Sequence, residues 1–135
     1  MVATEIRVIY GDTDQMGVVY YANYLRYFEL GRAEFLRAKG ARYRDVETEH
    51  RLLLPVAEAH VEYKASARYD DLLTVETSLT VLKRVTVRFD YRVVRDGTLL
   101  ASGHTVHACL DPDGRMKRMP EELARIMRAG EQLDA

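Results

Sequence analysis

Residues 10–24 read Tyr10-Gly11-Asp12-Thr13-Asp14-Gln15-Met16-Gly17-Val18-Val19-Tyr20-Tyr21-Ala22-Asn23-Tyr24, and this run separates two different periodicities. Before it, Ile6, Val8 and Tyr10 alternate with Glu5, Arg7 and Ile9, a period of two that predicts a strand with one polar face. After it, from about Tyr20 to Lys39, the spacing becomes helical. Tyr21, Tyr24, Leu25, Phe28, Gly31, Phe35 and Leu36 fall on one stripe. Arg37 and Lys39 suit a last turn and Gly40 a stop. The residues from Gly11 to Gly17 form the loop between strand and helix.

Beyond a second loop around Ala41–Leu54, alternation returns and persists. Ala57, Ala59, Val61 and Tyr63 oppose Glu58, His60, Glu62 and Lys64. Val75, Thr77, Leu79 and Val81 oppose Thr74, Glu76, Ser78 and Thr80. Val85, Val87, Phe89, Tyr91 and Val93 alternate with Thr86, Arg88, Asp90 and Arg92. Asp96-Gly97 is a hairpin turn leading into a fifth strand near Leu99–Leu110, and Asp111-Pro112-Asp113-Gly114 is another turn. Pro120 opens a short final helix with Leu123, Ile126 and Met127. Consecutive strands joined by tight turns form an antiparallel sheet, and one apolar face per strand needs one covering layer. The expected fold is α+β: a curved five-stranded antiparallel sheet held against one long central helix.

Length and composition bound the function. A chain of 135 residues without repeat or linker is one domain, 1–135. The lone Cys109 excludes an internal disulfide framework. Met1-Val2-Ala3-Thr4-Glu5 has no basic region followed by an apolar run, as a signal peptide would. No stretch approaches the ~20 apolar residues of a membrane span. A net charge of −1 argues against nucleic acid. A cytoplasmic protein is expected.

The loop holds the informative chemistry. Asp12-x-Asp14 with Gly17 at the sixth position has the outline of a calcium loop, but Met16 and Asn23 stand where ligands belong and a strand precedes it, so calcium is rejected. One reading makes Asp12 and Asp14 turn and cap residues. The other turns one carboxylate into a pocket at the helix start, where free N–H donors and the positive end of the dipole suit an oxygen that gains charge in acyl transfer. An aspartate is ionised at neutral pH and can attack a carbonyl or deprotonate water.

The whole run Tyr10–Tyr24 resembles the signature of hotdog-fold acyl-CoA thioesterases, in particular the 4-hydroxybenzoyl-CoA thioesterase family and its YbgC-like branch. The likeness continues through Leu25-Arg26-Tyr27-Phe28-Glu29, Ala67-Arg68-Tyr69-Asp70-Asp71 and the Asp96–Cys109 hairpin. The resemblance implies a hydrolase that cleaves acyl-CoA to free acid and CoA, with no cofactor besides the CoA of substrate and product. It makes Asp14 the catalytic carboxylate, as nucleophile or general base. It makes the Tyr21 N–H the donor that polarises the thioester carbonyl, where many relatives of this branch carry His. Tyr10 would flank the site, unless it is a core residue of the first strand. Gly17, Val18 and Val19 would lie against the substrate, glycine allowing close approach. Arg68, Lys83, Arg84, Lys117 and Arg118 are candidates for the CoA phosphates. The resemblance further implies pairing of the strand near Val56–Tyr63 with its twofold mate, so that the pocket lies at the boundary of a homodimer, with tetramers beyond. Its alternatives are an acyl-carrier-protein thioesterase, a hotdog dehydratase, or a non-catalytic protein that binds acyl thioesters.

Other groups carry less. No Gly-x-Ser-x-Gly elbow is present. His107 and Cys109 share a strand face as packing residues, His104 points the other way, and His60 between Glu58 and Glu62 lacks zinc spacing, so no metal is expected. Glu29 and Arg32, three apart on the helix, are expected to pair.

Overall fold

The computed structural model describes residues 1–134; Ala135, the last residue of the expected domain, lies outside them. Strand β1 (Val2–Arg7) leads through a short 3₁₀ turn (Tyr10–Asp12) to helix α1 (Asn23–Ala38) and helix α2 (Tyr43–Thr48). Strands β2 (Val56–Tyr63), β3 (Leu72–Leu82), β4 (Thr86–Arg95) and β5 (Thr98–Ala108) follow, then helix α3 (Glu121–Arg128). The five strands form one antiparallel sheet in the order β1-β3-β4-β5-β2.

The alternation expected for β3 and β4 holds along most of both strands: Leu73, Val75, Thr77 and Leu79, and Val87, Phe89, Tyr91 and Val93, are buried on the α1 side, whereas Val81, past a register shift, and Val85 are only half-buried. The Phe28 ring stacks on Tyr91 at 4.3 Å between centroids, and Phe35 meets Phe89 edge-on at 5.4 Å. Gly31 lets the helix sit directly on β3. A Cβ there would lie 2.5 Å from Thr77 Oγ1 and 2.8 Å from Val75 Cγ1. The helix ends as the sequence predicts: Gly40 has φ +86°, its N–H donates to Arg37 O, and the Ala41 N–H donates to Leu36 O at 2.8 Å. These two bonds satisfy carbonyls the last turn would leave open.

The structure corrects several sequence expectations. The helix begins at Asn23 rather than Tyr20: the carbonyls of Tyr20, Tyr21 and Ala22 accept the N–H groups of Asn23, Tyr24 and Leu25, three residues on, in tight turns that precede the regular ladder. Its buried stripe is rotated. Leu25 and Tyr21 are exposed, while Tyr27 and Arg32 are buried by polar partners that apolar spacing does not reveal. Arg32 does not pair with Glu29. Its Nε donates to Tyr43 Oη at 2.7 Å and its Nη1 to Tyr91 Oη at 3.0 Å. The second loop contains α2, which buries one apolar side chain, Val46, too few for a readable period. Strand β2 lies at the sheet edge and is largely exposed on both faces, although its apolar alternation predicted one covered face. Among the described residues, no helix is long and apolar enough to cross a membrane.

Candidate functional site

The loop between β1 and α1 divides its two aspartates. Asp12 turns inward. Its carboxylate accepts the Tyr27 hydroxyl at 2.9 Å, the Arg26 guanidinium at 3.2 Å and the Ile9 N–H at 3.4 Å. Burial and the hydrogen bond to Asp12 hold the Tyr27 hydroxyl well above the usual phenol range, so it stays a donor. Asp14 turns outward. Its Oδ1 accepts the Met16 N–H at 2.8 Å, while the Gly17 N–H donates to Asp14 O and the Asp14 N–H to Val18 O, both at 2.9 Å. Gly17 closes this turn at φ +78°, a left-handed backbone that side chains disfavour. That conformation, rather than close quarters, is what the structure requires of it, since a Cβ would meet nothing nearer than Arg68 Nη1 at 3.8 Å.

Asp14 opens onto a cleft of about 290 Å³. Met16, Val18 and Val19 of the same loop form one wall, and Tyr21 and Tyr24 at the start of α1 form the second. Tyr63 at the end of β2, with Lys64, Ala65 and Ser66 after it, forms the third. The pieces are tied together. The Val19 N–H donates to Ala67 O at 2.8 Å and the Tyr63 hydroxyl to Tyr21 O at 3.0 Å. The tyrosine rings pack edge-on, Tyr24 on Tyr63 at 5.3 Å and Tyr21 on Tyr63 at 6.4 Å.

The start of α1 is electrostatically open. Ala22 caps it without a side-chain bond, and no acidic residue occupies its first turn. Among the described residues, nothing accepts the Tyr21 or Ala22 N–H. The cleft therefore holds the Asp14 carboxylate beside the positive end of a 16-residue helix, next to Tyr21, whose N–H has no partner among the described residues.

The remaining sequence candidates scatter. Tyr10 is neither a core residue nor part of the cleft wall: β1 ends at Arg7, the Tyr10 ring is 73% exposed, and it stacks on Tyr69 at 3.8 Å. Arg68 lies over the loop, its Nη1 3.5 Å from Gly17 O. Lys83, Arg84 and Arg118 do come together, in a second cleft of about 820 Å³ also lined by Arg125 and Arg128 of α3. Lys117 parts from them, turning its ammonium to the carbonyls of His50 and Arg51. The second cleft lies at the other end of the sheet from Asp14. Tyr63 pairs with Ala101 and Ala101 with Val93, whereas Lys83 and Arg84 precede Thr86, which pairs with Ala108. The eight residues from Thr86 to Val93 span roughly 23 Å.

Sequence reasoning missed Tyr63, Lys64, Ala65 and Ser66 as part of the cleft, and read Tyr24 only as core. The density of tyrosine around residues 20–24 was the available signal. Cys109 is buried, and burial pushes its thiol up to about 11, far from a thiolate nucleophile. Among the described residues, no cluster of three or more His, Cys, Asp or Glu is placed to hold a metal ion.

Known proteins share this fold. The family model of the thioesterase-like superfamily matches residues 8–127. The acyl-CoA thioesterase YbgC of Haemophilus influenzae is 38% identical over 112 residues, covering 83% of this chain and 82% of that protein. A crystal structure of a Thermus thermophilus hypothetical protein, 39% identical, superposes with a TM-score of 0.88 over 93% of this chain and 95% of the other. A crystal structure of a 4-hydroxybenzoyl-CoA thioesterase mutant with 4-hydroxybenzoyl-CoA shares the fold at 22% identity and a TM-score of 0.85, covering 93% of this chain and 97% of that one. With its element order, sheet topology and matched span, the chain has the hotdog fold and belongs to the thioesterase-like superfamily.

Proposed function

We infer that this protein is an acyl-CoA thioesterase, converting acyl-CoA and water to a free acid and CoA. The observation that carries the reading is the cleft that Asp14 and Tyr21 line together at the start of α1, with the Tyr21 N–H free of any partner among the described residues. The thioester carbonyl oxygen lies against the Tyr21 N–H, which is stronger for the oxyanion than for the carbonyl and so favours the transition state. A backbone donor is indifferent to the side chain, so Tyr21 in place of His leaves this role intact. Asp14, with one oxygen held by the Met16 N–H and the other free, either attacks the thioester carbon or takes a proton from the attacking water. Coenzyme A enters and leaves with substrate and product, and no other cofactor is invoked.

The working unit in this reading is a homodimer joined through β2. That strand leaves an unpaired edge, which soluble proteins cover. Antiparallel pairing of two β2 edges about a twofold axis places the Thr86 end of one subunit beside the Tyr63 end of the other. The basic cleft of Lys83, Arg84 and Arg118 then serves the CoA phosphates of a thioester bound at the partner's cleft. A cytoplasmic setting belongs to the same reading, in keeping with a lone buried thiol.

The test is thiol release from short, long and aromatic acyl-CoAs, with wild type beside Asp14→Ala and Asp14→Asn. Wild type is expected to hydrolyse at least one class, and both variants to lose ~100-fold or more in kcat. A wild type that releases no thiol, or an alanine variant that keeps pace with it, overturns the reading.

A further inference from the structure

Two histidines far apart in sequence meet on the outward face of the sheet. His60 of β2 is the direct cross-strand neighbour of His104 of β5, and their rings stack at 5.4 Å between centroids, 22° from parallel. Strand β5 sets the direction: Thr105 and His107 are buried toward α1, so His104 and Val106, which alternate with them, point away from the core. Spacing along the chain could not show this pair, because its members come from different strands.

The two rings have their nitrogens to spare. Among the described residues, no hydrogen bond or ion pair engages either imidazole, whereas the buried His107 has one nitrogen 2.8 Å from Thr105 Oγ1 and the other 2.9 Å from Leu54 O. The surroundings are acidic. Glu58 and Glu62 flank His60 two residues away on the same face of β2, and among the described residues neither belongs to an ion pair. Asp90 faces His104 from β4, and Arg88 Nε neutralises it at 2.9 Å. Arg92 on the same strand is held by Glu76 at 2.7 Å. The neighbouring cations are thus taken, and the carboxylates left over are the two beside His60.

Neutral imidazole is a ligand for borderline transition metals at about 2.0–2.1 Å, while magnesium and calcium prefer oxygen. Opposed residues on antiparallel strands stand roughly 4.5–5.5 Å apart at Cβ, which lets two such rings tilt onto one ion. We propose that His60 and His104 form a two-imidazole site for a divalent transition metal of the Zn²⁺, Ni²⁺ and Cu²⁺ class, which clips the edge strand β2 to β5. The clip lies three residues from Tyr63, the β2 wall of the Asp14 cleft, on a strand that is largely exposed on both faces. Pairing of two β2 edges leaves it accessible, since outward side chains stand perpendicular to the sheet.

Calorimetric titration of the full chain with ZnCl₂, CuCl₂ and MgCl₂ tests this, with wild type beside His60→Gln, His104→Gln and His50→Gln. Wild type should bind one Zn²⁺ or Cu²⁺ per chain, Cu²⁺ the tighter, and no Mg²⁺. Loss of either member of the pair should weaken binding ~10-fold or more, and His50→Gln should leave it unchanged. The electron paramagnetic resonance spectrum of the Cu²⁺ form should show two coupled imidazole nitrogens in wild type and one in either pair variant. Zn²⁺ should slow amide hydrogen exchange along β2 in wild type only. No binding, binding that both pair variants keep or that His50→Gln removes, a wild-type spectrum with one nitrogen, or β2 amides indifferent to Zn²⁺ overturns the proposal. None of these readouts involves a thioester, so their outcome is independent of the thioesterase reading.

Discussion

A carboxylate as enclosed as Asp12 persists only where donors surround it, and Tyr27, Arg26 and the Ile9 N–H do so. Asp14, two residues on, keeps an oxygen free because no such residues converge on it. Residue type and spacing alone present the two as equals, and only the family resemblance favours Asp14, since what separates them physically is a tyrosine fifteen positions away on α1. A longer polar chain was equally hidden. Arg32 donates to Tyr91, the Tyr91 and Thr105 hydroxyls lie 2.6 Å apart, Thr105 Oγ1 lies 2.8 Å from His107 Nε2, and His107 Nδ1 lies 2.9 Å from Leu54 O. The carbonyl at one end requires Nδ1–H to donate, so Nε2 accepts from Thr105 and the bonds run in one direction from the cation. Burial foremost, with the Arg32 guanidinium adding to it, lowers the His107 pKa to about 4. The unfolded chain therefore binds one more proton than the folded one between pH ~4 and ~6.5. His107's contribution is complete above that window and is lost as pH falls through it, on the order of 3 kcal/mol. Urea unfolding across this range should show a shallower pH dependence for His107→Gln than for wild type. Equal slopes would refute the assignment.

At the scale of elements, legibility followed the number of buried side chains in a row. Strands β3 and β4 bury every second residue against α1, and α1 ends in a glycine whose left-handed backbone stops it, so period and punctuation agree. Helix α2 buries only Val46 among its apolar residues, and β2 shows apolar alternation with no layer over it. In both cases one sequence lacks the information, because packing on other elements decides the outcome. Gly31 marks the tightest helix–sheet contact, and Gly31→Ala puts a methyl into the space of Thr77 Oγ1 and Val75 Cγ1. The helix must lift from β3. A loss of about 1–3 kcal/mol is expected despite the better helix propensity of alanine. Denaturant titration measures it, and an unchanged midpoint would show that the helix has slack there.

For the whole molecule, the resemblance in residues 10–24 was enough to place the chain among hotdog thioesterases, yet it could not show how basic residues adjacent in sequence separate in space. Lys117 turns to the backbone of His50 and Arg51 while Arg118 joins Lys83 and Arg84 across the fold. That cluster stands at the far end of β4 from Asp14, and this separation has a genetic consequence. If every working site borrows its cations from a twofold mate, damage to Asp14 and damage to Arg84 fall on different halves of each site. Homodimers of Asp14→Ala should then be slow at both sites, and homodimers of Arg84→Ala should bind CoA thioesters weakly at both. A mixed dimer of the two carries one doubly damaged site and one with wild-type residues at both positions. Unfolding and refolding the two variants together should thus restore low-KM turnover that neither shows alone, approaching a quarter of wild-type activity when subunits pair at random. Recovery no greater than the sum of the parents would mean that each subunit serves its own substrate.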